Sequence, residues 1–575
     1  MNVNSIIFLL LCIKLCITVL SAQVVIYPVS KVIFEYGNSH SSLPNLELLN
    51  KAYYSPKKDG KEFPVSTLTR GLSKPINLSD EGIFRLGELG IHFLKDQGFE
   101  GVVALPHPDY IDPISGEDLR SQGNEVIVIQ LWVSILNKID FKDEDLKQKE
   151  KLKLKDGIKT YTNSKDTLDQ PIRAGLFNDL RQILNHPSRD AQVLLSATEN
   201  PGRVNAVVKV NRKESDHYSL SVANAGSPST GRWLLTANLN SNQLSGRDDR
   251  LTVGLMVSNT GERRGVTGNY YLPFLPQDKL GASFGLGYSS YDASTFALAN
   301  PIEFEGESIY GDFSLIYKSS LAEGKFIPGA EIGLKLENVE AFNSLSNRHV
   351  DVAMLTPRIS VFMEQRNKYR VGKTSLSLLG NLLSIDEQDM ISLGGIDTTD
   401  RYAKILFSHY DTLFLGKLLG SSGKFLSRHS LSLNLQSSFA LSGNRQLPQH
   451  QFITGGTGSV RGYPESPVAG DSGIFASLEY RFPFLFIPSA KGGDLAWTMA
   501  PFVDWARTSV NQPLFYESNH ILLSTGLSFY LAFPYGIYAN IEFAKPLREI
   551  TVAGSAIDGT RSNDYRIHGN IGWKF

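Results

Sequence analysis

From Asp216 to the C-terminal Phe575 the chain alternates apolar and polar residues in one short segment after another, with no convincing helical period between them. A period of two puts successive side chains on opposite faces of a strand. The last segment shows it plainly: Tyr565, Ile567, Gly569, Ile571, Trp573 and Phe575 share one face, and Arg566, His568, Asn570, Gly572 and Lys574 the other. Sixteen such segments can be delimited, near 216–225, 231–241, 249–259, 265–274, 279–291, 307–319, 325–337, 350–366, 371–384, 401–416, 425–442, 473–485, 494–507, 518–532, 535–545 and 564–575. Nothing after Gln23 resembles a transmembrane helix. In hydrocarbon, the only alternative that pairs every backbone group is a sheet closed on itself. The expected fold is mainly β: a 16-stranded transmembrane β-barrel over 213–575, even-numbered as single-chain bacterial barrels are.

A soluble sandwich could bury the same apolar face in a core. However, a chain ending on an aromatic in such a strand, with Trp573 and Phe575 here, resembles the assembly signal of outer-membrane barrels. The other terminus agrees. An apolar run from Ile6 to Leu20, broken by Lys14, ends in Leu20-Ser21-Ala22 before Gln23, so residues 1–22 read as a secretory signal peptide. An N-terminal anchor is the rival, although the run is short for the roughly 20 apolar residues a span needs. Cys12 and Cys16 both lie in the signal, leaving a mature chain with no disulfide or thiolate metal site. Lys plus Arg number 57 against 58 Asp plus Glu, which gives no basic field for nucleic acid.

Loop lengths give the barrel a polarity. Short turns follow even-numbered segments (Pro276-Gln277-Asp278, Ala322-Glu323-Gly324, Asn367-Lys368-Tyr369-Arg370, Pro534), with 486–493 the exception. Longer excursions follow odd-numbered ones, near 292–306, 338–349, 385–400, 443–472 and 546–563. Outer-membrane barrels place short turns in the periplasm and long loops outside. Upstream, Val29–Tyr36 suggests a strand, Ser79-Asp80-Glu81 caps a helix with Ile83, Phe84, Leu86, Leu89, Ile91, Phe93 and Leu94 on its apolar face, and strands follow at 102–105 and 125–135. A mixed-charge run from Lys138 to Lys155 reads as a solvated linker. The order then recurs: a helix over 172–184, and strands at 191–196 and 204–211 joined by Glu199-Asn200-Pro201-Gly202-Arg203.

One loop carries chemistry. Ser459-Val460-Arg461-Gly462-Tyr463 is followed by Gly470-Asp471 and a strand containing Glu479-Tyr480-Arg481; Phe502-Val503-Asp504 lies in the next segment, with Phe502 and Asp504 on its inner face. These motifs in this order resemble the two-partner secretion transporters of the haemolysin-activator family, within the Omp85 superfamily. The resemblance is specific over about 188–240 and 450–575 and architectural elsewhere. It implies two small α+β polypeptide-transport-associated (POTRA) domains ahead of the barrel, a divergent first over 23–140 and a second over 141–212. It also implies that the loop folds into the lumen and that Arg461 pairs with Asp504. Ala506 stands where the family's Phe-x-Asp motif usually has glycine. Glu479 and Arg481 read as general lumenal charges, and the Arg461–Asp504 pair as a hydrated one. Family members often carry a plug helix before the first POTRA domain; with about six residues between Gln23 and Val29, none is expected here.

The resemblance implies a monomeric transporter in the bacterial outer membrane, with periplasmic POTRA domains. Its partners would be a secreted exoprotein, outer-membrane lipid and, during biogenesis, the barrel-assembly machinery. An Omp85-type insertase or a passive porin or receptor are the alternatives; two POTRA domains rather than three to five argue against the first. Gly470-Asp471-Ser472-Gly473 mimics a serine-protease nucleophile segment without a histidine context. The 11 histidines lack metal-ligand spacing, and no phosphate-binding loop is visible, so no enzyme, cofactor or metal site is expected.

Overall fold

The computed structural model describes residues 25–575 except 58–61, 113–114, 144–147, 166, 174, 177–179, 181–185, 275–278, 298–299, 320–325, 344–347, 368, 396, 419–425, 427, 489–492, 515–516 and 553–554. The 1–22 signal, the turns at 276–278 and 322–324 and most of the 172–184 helix lie outside the described residues. The chain forms two compact units: one ends at Asn211, and the other runs from Arg212 to Phe575 and takes in 145–153 and 185–190.

The first unit holds two small α+β modules. In the first, Val126–Val133 lies between Lys31–Tyr36, parallel to it, and Val102–Pro106, antiparallel. Helix Asp80–Asp96 covers this sheet. Ser79 caps it by accepting the Gly82 N–H at 3.4 Å, and Asp80 and Glu81 sit where the helix dipole favours acid. Its Ile83, Leu86 and Leu94 join Val32, Ile127, Ile129, Leu131 and Val133 in one core, with Leu89 and Phe93 packed against it, while Phe84, expected on that face, is exposed. Gly90 lets the helix close on the sheet, since a Cβ there would stand 2.5 Å from Leu131.

The second sheet repeats the arrangement, with Arg203–Arg212 between a parallel Ile135–Asp143 and Arg189–Ala197. The expected linker at 138–155 is thereby overturned. Ile135–Asp143 is a strand and Gln148–Lys165 a helix. Leu154, Ile158 and Thr162, four residues apart and joined by Gly157, make a narrow buried stripe. Lysines on every other face hid it. Because Ile135–Asp143 pairs within the second sheet, that sheet begins ahead of the boundary placed at 140/141.

The second unit is the expected barrel. Its strands are β1 Asp216–Ala223, β2 Leu234–Asn242, β3 Arg250–Ser258, β4 Arg263–Pro273, β5 Leu280–Ala297, β6 Asn300–Lys318, β7 Ile327–Asn343 and β8 Arg348–Arg366. They continue as β9 Arg370–Gly380, β10 Ala403–Phe414, β11 Ser430–Ala440, β12 Ser472–Ile487, β13 Leu495–Ser509, β14 His520–Ala532, β15 Ile537–Pro546 and β16 Arg566–Lys574. Each is antiparallel to its neighbours, and β16 closes the ring on β1. Alternation sorts the faces. On β8, Ile359, Val361 and Met363 point out, while Ser360 and Phe362 are buried inside.

Two expected loops are strand instead. β5 and β6 pair out to Ala297↔Asn300, and β7 and β8 to Asn343↔Arg348, so 292–306 and 338–349 are mostly ladder. These four strands have 17 to 19 residues, well beyond the roughly 9–11 that cross a membrane. Outside the membrane a strand needs no apolar face, so its alternation fades and it reads as loop. Of the other long connections, 385–400 holds the short helix Glu387–Ser392, and 546–563 the small hairpin Thr551–Val552 with Ser555–Ala556.

The barrel closes on its last residue. Tyr218 and Phe575 exchange N–H···O bonds of 2.9 and 3.0 Å and their rings stack 5.5 Å apart, while Trp573 Nε1 donates to the Tyr535 carbonyl at 2.8 Å. Phe575→Glu should therefore lower the yield of heat-modifiable, membrane-embedded barrel well below that of Lys574→Glu. Equal yields on cold and boiled gels would show that the terminal ring has no part in closure.

Candidate functional site

The connection from β11 to β12, residues 441–471, turns back into the barrel. Its two legs pair as Phe452–Thr454 with Val468–Gly470, and between them the chain reverses through Val460-Arg461-Gly462-Tyr463. Gly462 has φ +91°, a region that suits glycine, and a Cβ there would stand 3.2 Å from the Ala544 and Lys545 backbone of β15. The loop thus lies directly against the wall. Val460 and Tyr463, both fully buried, pack with Val468, Phe475, Ala506, Leu522 and Ile550. The Tyr463 hydroxyl lies 2.6 Å from the Arg548 carbonyl and accepts the Leu523 N–H at 3.2 Å.

Arg461 is 6 % exposed and Asp504 on β13 fully buried. Nε and Nη2 donate to the two carboxylate oxygens of Asp504 at 2.8 and 2.9 Å, a fork that fixes geometry as well as charge. The Arg461 backbone N–H adds a bond of 3.1 Å to the same carboxylate. Nη1 reaches Glu479 on β12 at 2.8 Å, Ser528 on β14 at 3.1 Å and Glu542 on β15 at 3.4 Å. The guanidinium carbon lies 3.4 Å from the centre of the Phe502 ring, so both members of the Phe-x-Asp pair touch it. Ser477, opposite Asp504 in the β12–β13 register, donates to its Oδ1 at 2.7 Å.

Glu479 and Arg481 are not general lumenal charges. Arg481 Nε donates to Glu479 Oε1 at 2.6 Å, and the Tyr530 hydroxyl bonds the same carboxylate at 2.9 Å. Two guanidinium groups and three carboxylates thus form one network over four adjacent strands. Nor is the central pair hydrated, since the loop itself covers it. Sequence reasoning missed Ser477, Ser528, Tyr530 and Glu542. Alternation puts Ser477 on the lumen face and could place the other three there, but only register gives their height, as in Ser528↔Glu542. Ala506, where glycine is usual, fills part of the apolar cluster beneath the loop.

The legs of the loop are tied separately. Asp471 accepts the Gln446 N–H at 2.8 Å and the Asn511 N–H at 2.7 Å. Arg445 makes a two-point ion pair with Glu517, one bond being 2.8 Å. Leu447 packs on Val350, Val352 and Met354 of β8, a separate stretch of wall. Among the described residues no cluster of His, Cys, Asp and Glu has the geometry to hold a metal ion.

The Omp85 superfamily domain matches residues 244–575, more than half of the chain. The chain belongs to the Omp85 superfamily. Its fold is shared with CdiB from Escherichia coli, at a TM-score of 0.61 and 12 % identity, over 96 % of this chain and 92 % of that one. CdiB from Acinetobacter baumannii gives a TM-score of 0.57 at 16 % identity, over 96 % and 90 %. No curated protein sequence matches significantly. Omp85 proteins with a sixteen-stranded barrel of this kind are outer-membrane proteins; the long Arg461-bearing connection lies within the matched residues.

In this Omp85 barrel, removing Arg461 leaves three carboxylates facing one another, and breaking a buried ion pair costs about 3–5 kcal/mol. Arg461→Ala and Asp504→Ala should each lower the thermal unfolding temperature of the purified barrel. The double variant should be little worse than either, because residues that act as a unit are not additive. Additive losses would show two independent groups.

Proposed function

We propose that the chain exports an unfolded partner exoprotein, of the haemolysin or adhesin kind, from the periplasm to the cell surface by two-partner secretion. The observation that carries this reading is Arg461, a loop residue held on the lumen wall by Asp504, Glu479 and Glu542. A diffusion pore has no need of such a latch. A transporter does, since its lumen must stay obstructed at rest and open without nucleotide chemistry. Moving one loop whose legs are tied at Asp471 and Arg445 achieves that.

The N-terminal modules supply the other half. Each sheet has two edge strands, and Val103, Leu105 and Leu194 are exposed on them. Strand addition to such edges grips an extended chain through backbone bonds and tolerates sequence. In this reading the modules are periplasmic, the loops after odd-numbered strands are extracellular, the protein works as a monomer, and the barrel-assembly machinery inserts it.

Two measurements test this in cells that make the exoprotein. Single cysteines at Ser562 and Tyr535, both exposed, should label from outside the cell and only after permeabilisation, respectively. The reverse pattern would invert the topology. Arg461→Ala and Asp504→Ala should each cut surface-delivered exoprotein about tenfold or more, since roughly 1.4 kcal/mol in loop position shifts populations tenfold. Unchanged export in both, with the barrels assembled, would remove the latch from the mechanism.

A further inference from the structure

The outer face of the strands that hold Arg461 is not smooth. A pocket of about 280 Å³ opens there, lined by Phe484 on β12, Trp497 and Met499 on β13, Phe529 and Leu531 on β14 and Phe543 on β15. For scale, a cavity of roughly 150 Å³ takes a benzene-sized guest. Three features set it apart from the rest of the lipid face. It coincides with the one register shift among the described barrel pairings. Pro483 pairs with Thr498 and Leu485 with Trp497, so Phe484 is left without a partner in the ladder. Such a bulge re-aims a side chain, and Phe484 stands 62 % exposed at the pocket.

The second feature is depth. Trp497 and Met499 are the third and fifth residues of β13, and Phe529 and Leu531 lie in the last four of β14. The pocket therefore belongs to the half of the wall where β1 begins and β16 ends, with Trp497 roughly 7 Å along the strand from its start. That is girdle depth, where tryptophan meets the lipid ester region. The third feature is the indole itself. The Trp497 ring packs edge-on to that of Phe533, 6.3 Å between centroids, and its Nε1 is buried with no acceptor among the described residues.

We propose that this pocket binds a phospholipid, with an acyl chain seated between Phe484, Met499 and Phe543 against the Trp497 ring. An acyl chain is the occupant the barrel's lipid face presents to aromatic and aliphatic walls. The site backs the anchor wall directly, since Ser528 precedes Phe529 and Glu542 precedes Phe543. It rests on the barrel lying in a membrane and not on export, so it stands or falls separately from secretion.

Phospholipid retained by the full-length protein in mild detergent can be counted by mass spectrometry. Met499→Trp, which fills the pocket, should lose a phospholipid that wild type keeps. Ile332→Trp on the outer face of β7 should keep it. Equal retention in all three, or equal loss in both variants, overturns the proposal. Should Met499→Trp fail to assemble, fluorescence decides. The difference between wild type and Trp497→Phe isolates Trp497, and trace phosphatidylethanolamine with brominated acyl chains should quench that signal more strongly than it quenches the other tryptophans. Equal quenching would leave only general lipid contact and overturn the site.

Discussion

Everything in the C-terminal unit follows from one requirement: in hydrocarbon, no backbone N–H or C=O can be left unpaired. Sixteen strands meet it only if the last pairs with the first, and that seam is short. β1 has eight residues, and five of them are in register with β16. Side chains complete the seam. Asn224 accepts the Gly569 N–H at 2.7 Å and donates to the Ile567 carbonyl at 2.9 Å, extending the ladder beyond the strand. At the other end Phe575 extends it through its backbone, bonded to Tyr218, with the two rings stacked. Closure then fixes the faces: what points out must be apolar, and polar groups have only the lumen.

A polar lumen is what makes the loop's position possible. An arginine driven into an apolar core would meet no compensation, whereas here one guanidinium finds Asp504, Glu479, Glu542, Ser477 and Ser528 within 3.4 Å. Buried ion pairs contribute little net stability once desolvation is counted, but they punish misplacement heavily. The network is therefore better read as a register device than as glue. Glycine at 462 and the Tyr463 hydroxyl serve the same end, one letting the loop backbone reach β15 and the other marking its height between Leu523 and Arg548.

The barrel was legible because membrane strands are under the strictest pattern a sequence can carry. All sixteen segments correspond to strands, and the inner faces of β12 and β13 were assigned from alternation alone. Legibility failed where that pressure lifted. Beyond the membrane, β5 to β8 continue without an apolar face and were read as loops. Ahead of the barrel strands, Gln148–Lys165 buries a narrow stripe through Leu154 and Ile158, too thin to stand out among lysines. At the site, the resemblance paired Arg461 with Asp504, but Glu542 and Tyr530 come from strands whose relative height no spacing in the sequence states. The burial of the pair was likewise out of reach, because it depends on the loop that covers it.

In the proposed export reading, that covering would make the latch conditional. While the loop is docked, Arg461 and Asp504 are shielded and their attraction acts at the low effective dielectric of an interior. If the tip lifts, the same carboxylates line a wide polar lumen and water replaces the guanidinium. The cost of release is then below that of breaking a pair in a dry core, where nothing takes the lost partner's place. The legs remain tied at Asp471 and at Arg445–Glu517, so the tip can return to one place only. In that reading, a specific resting state and a low-cost release would come from a single arrangement: a buried ion pair set on a wall that is wet whenever the pair is broken.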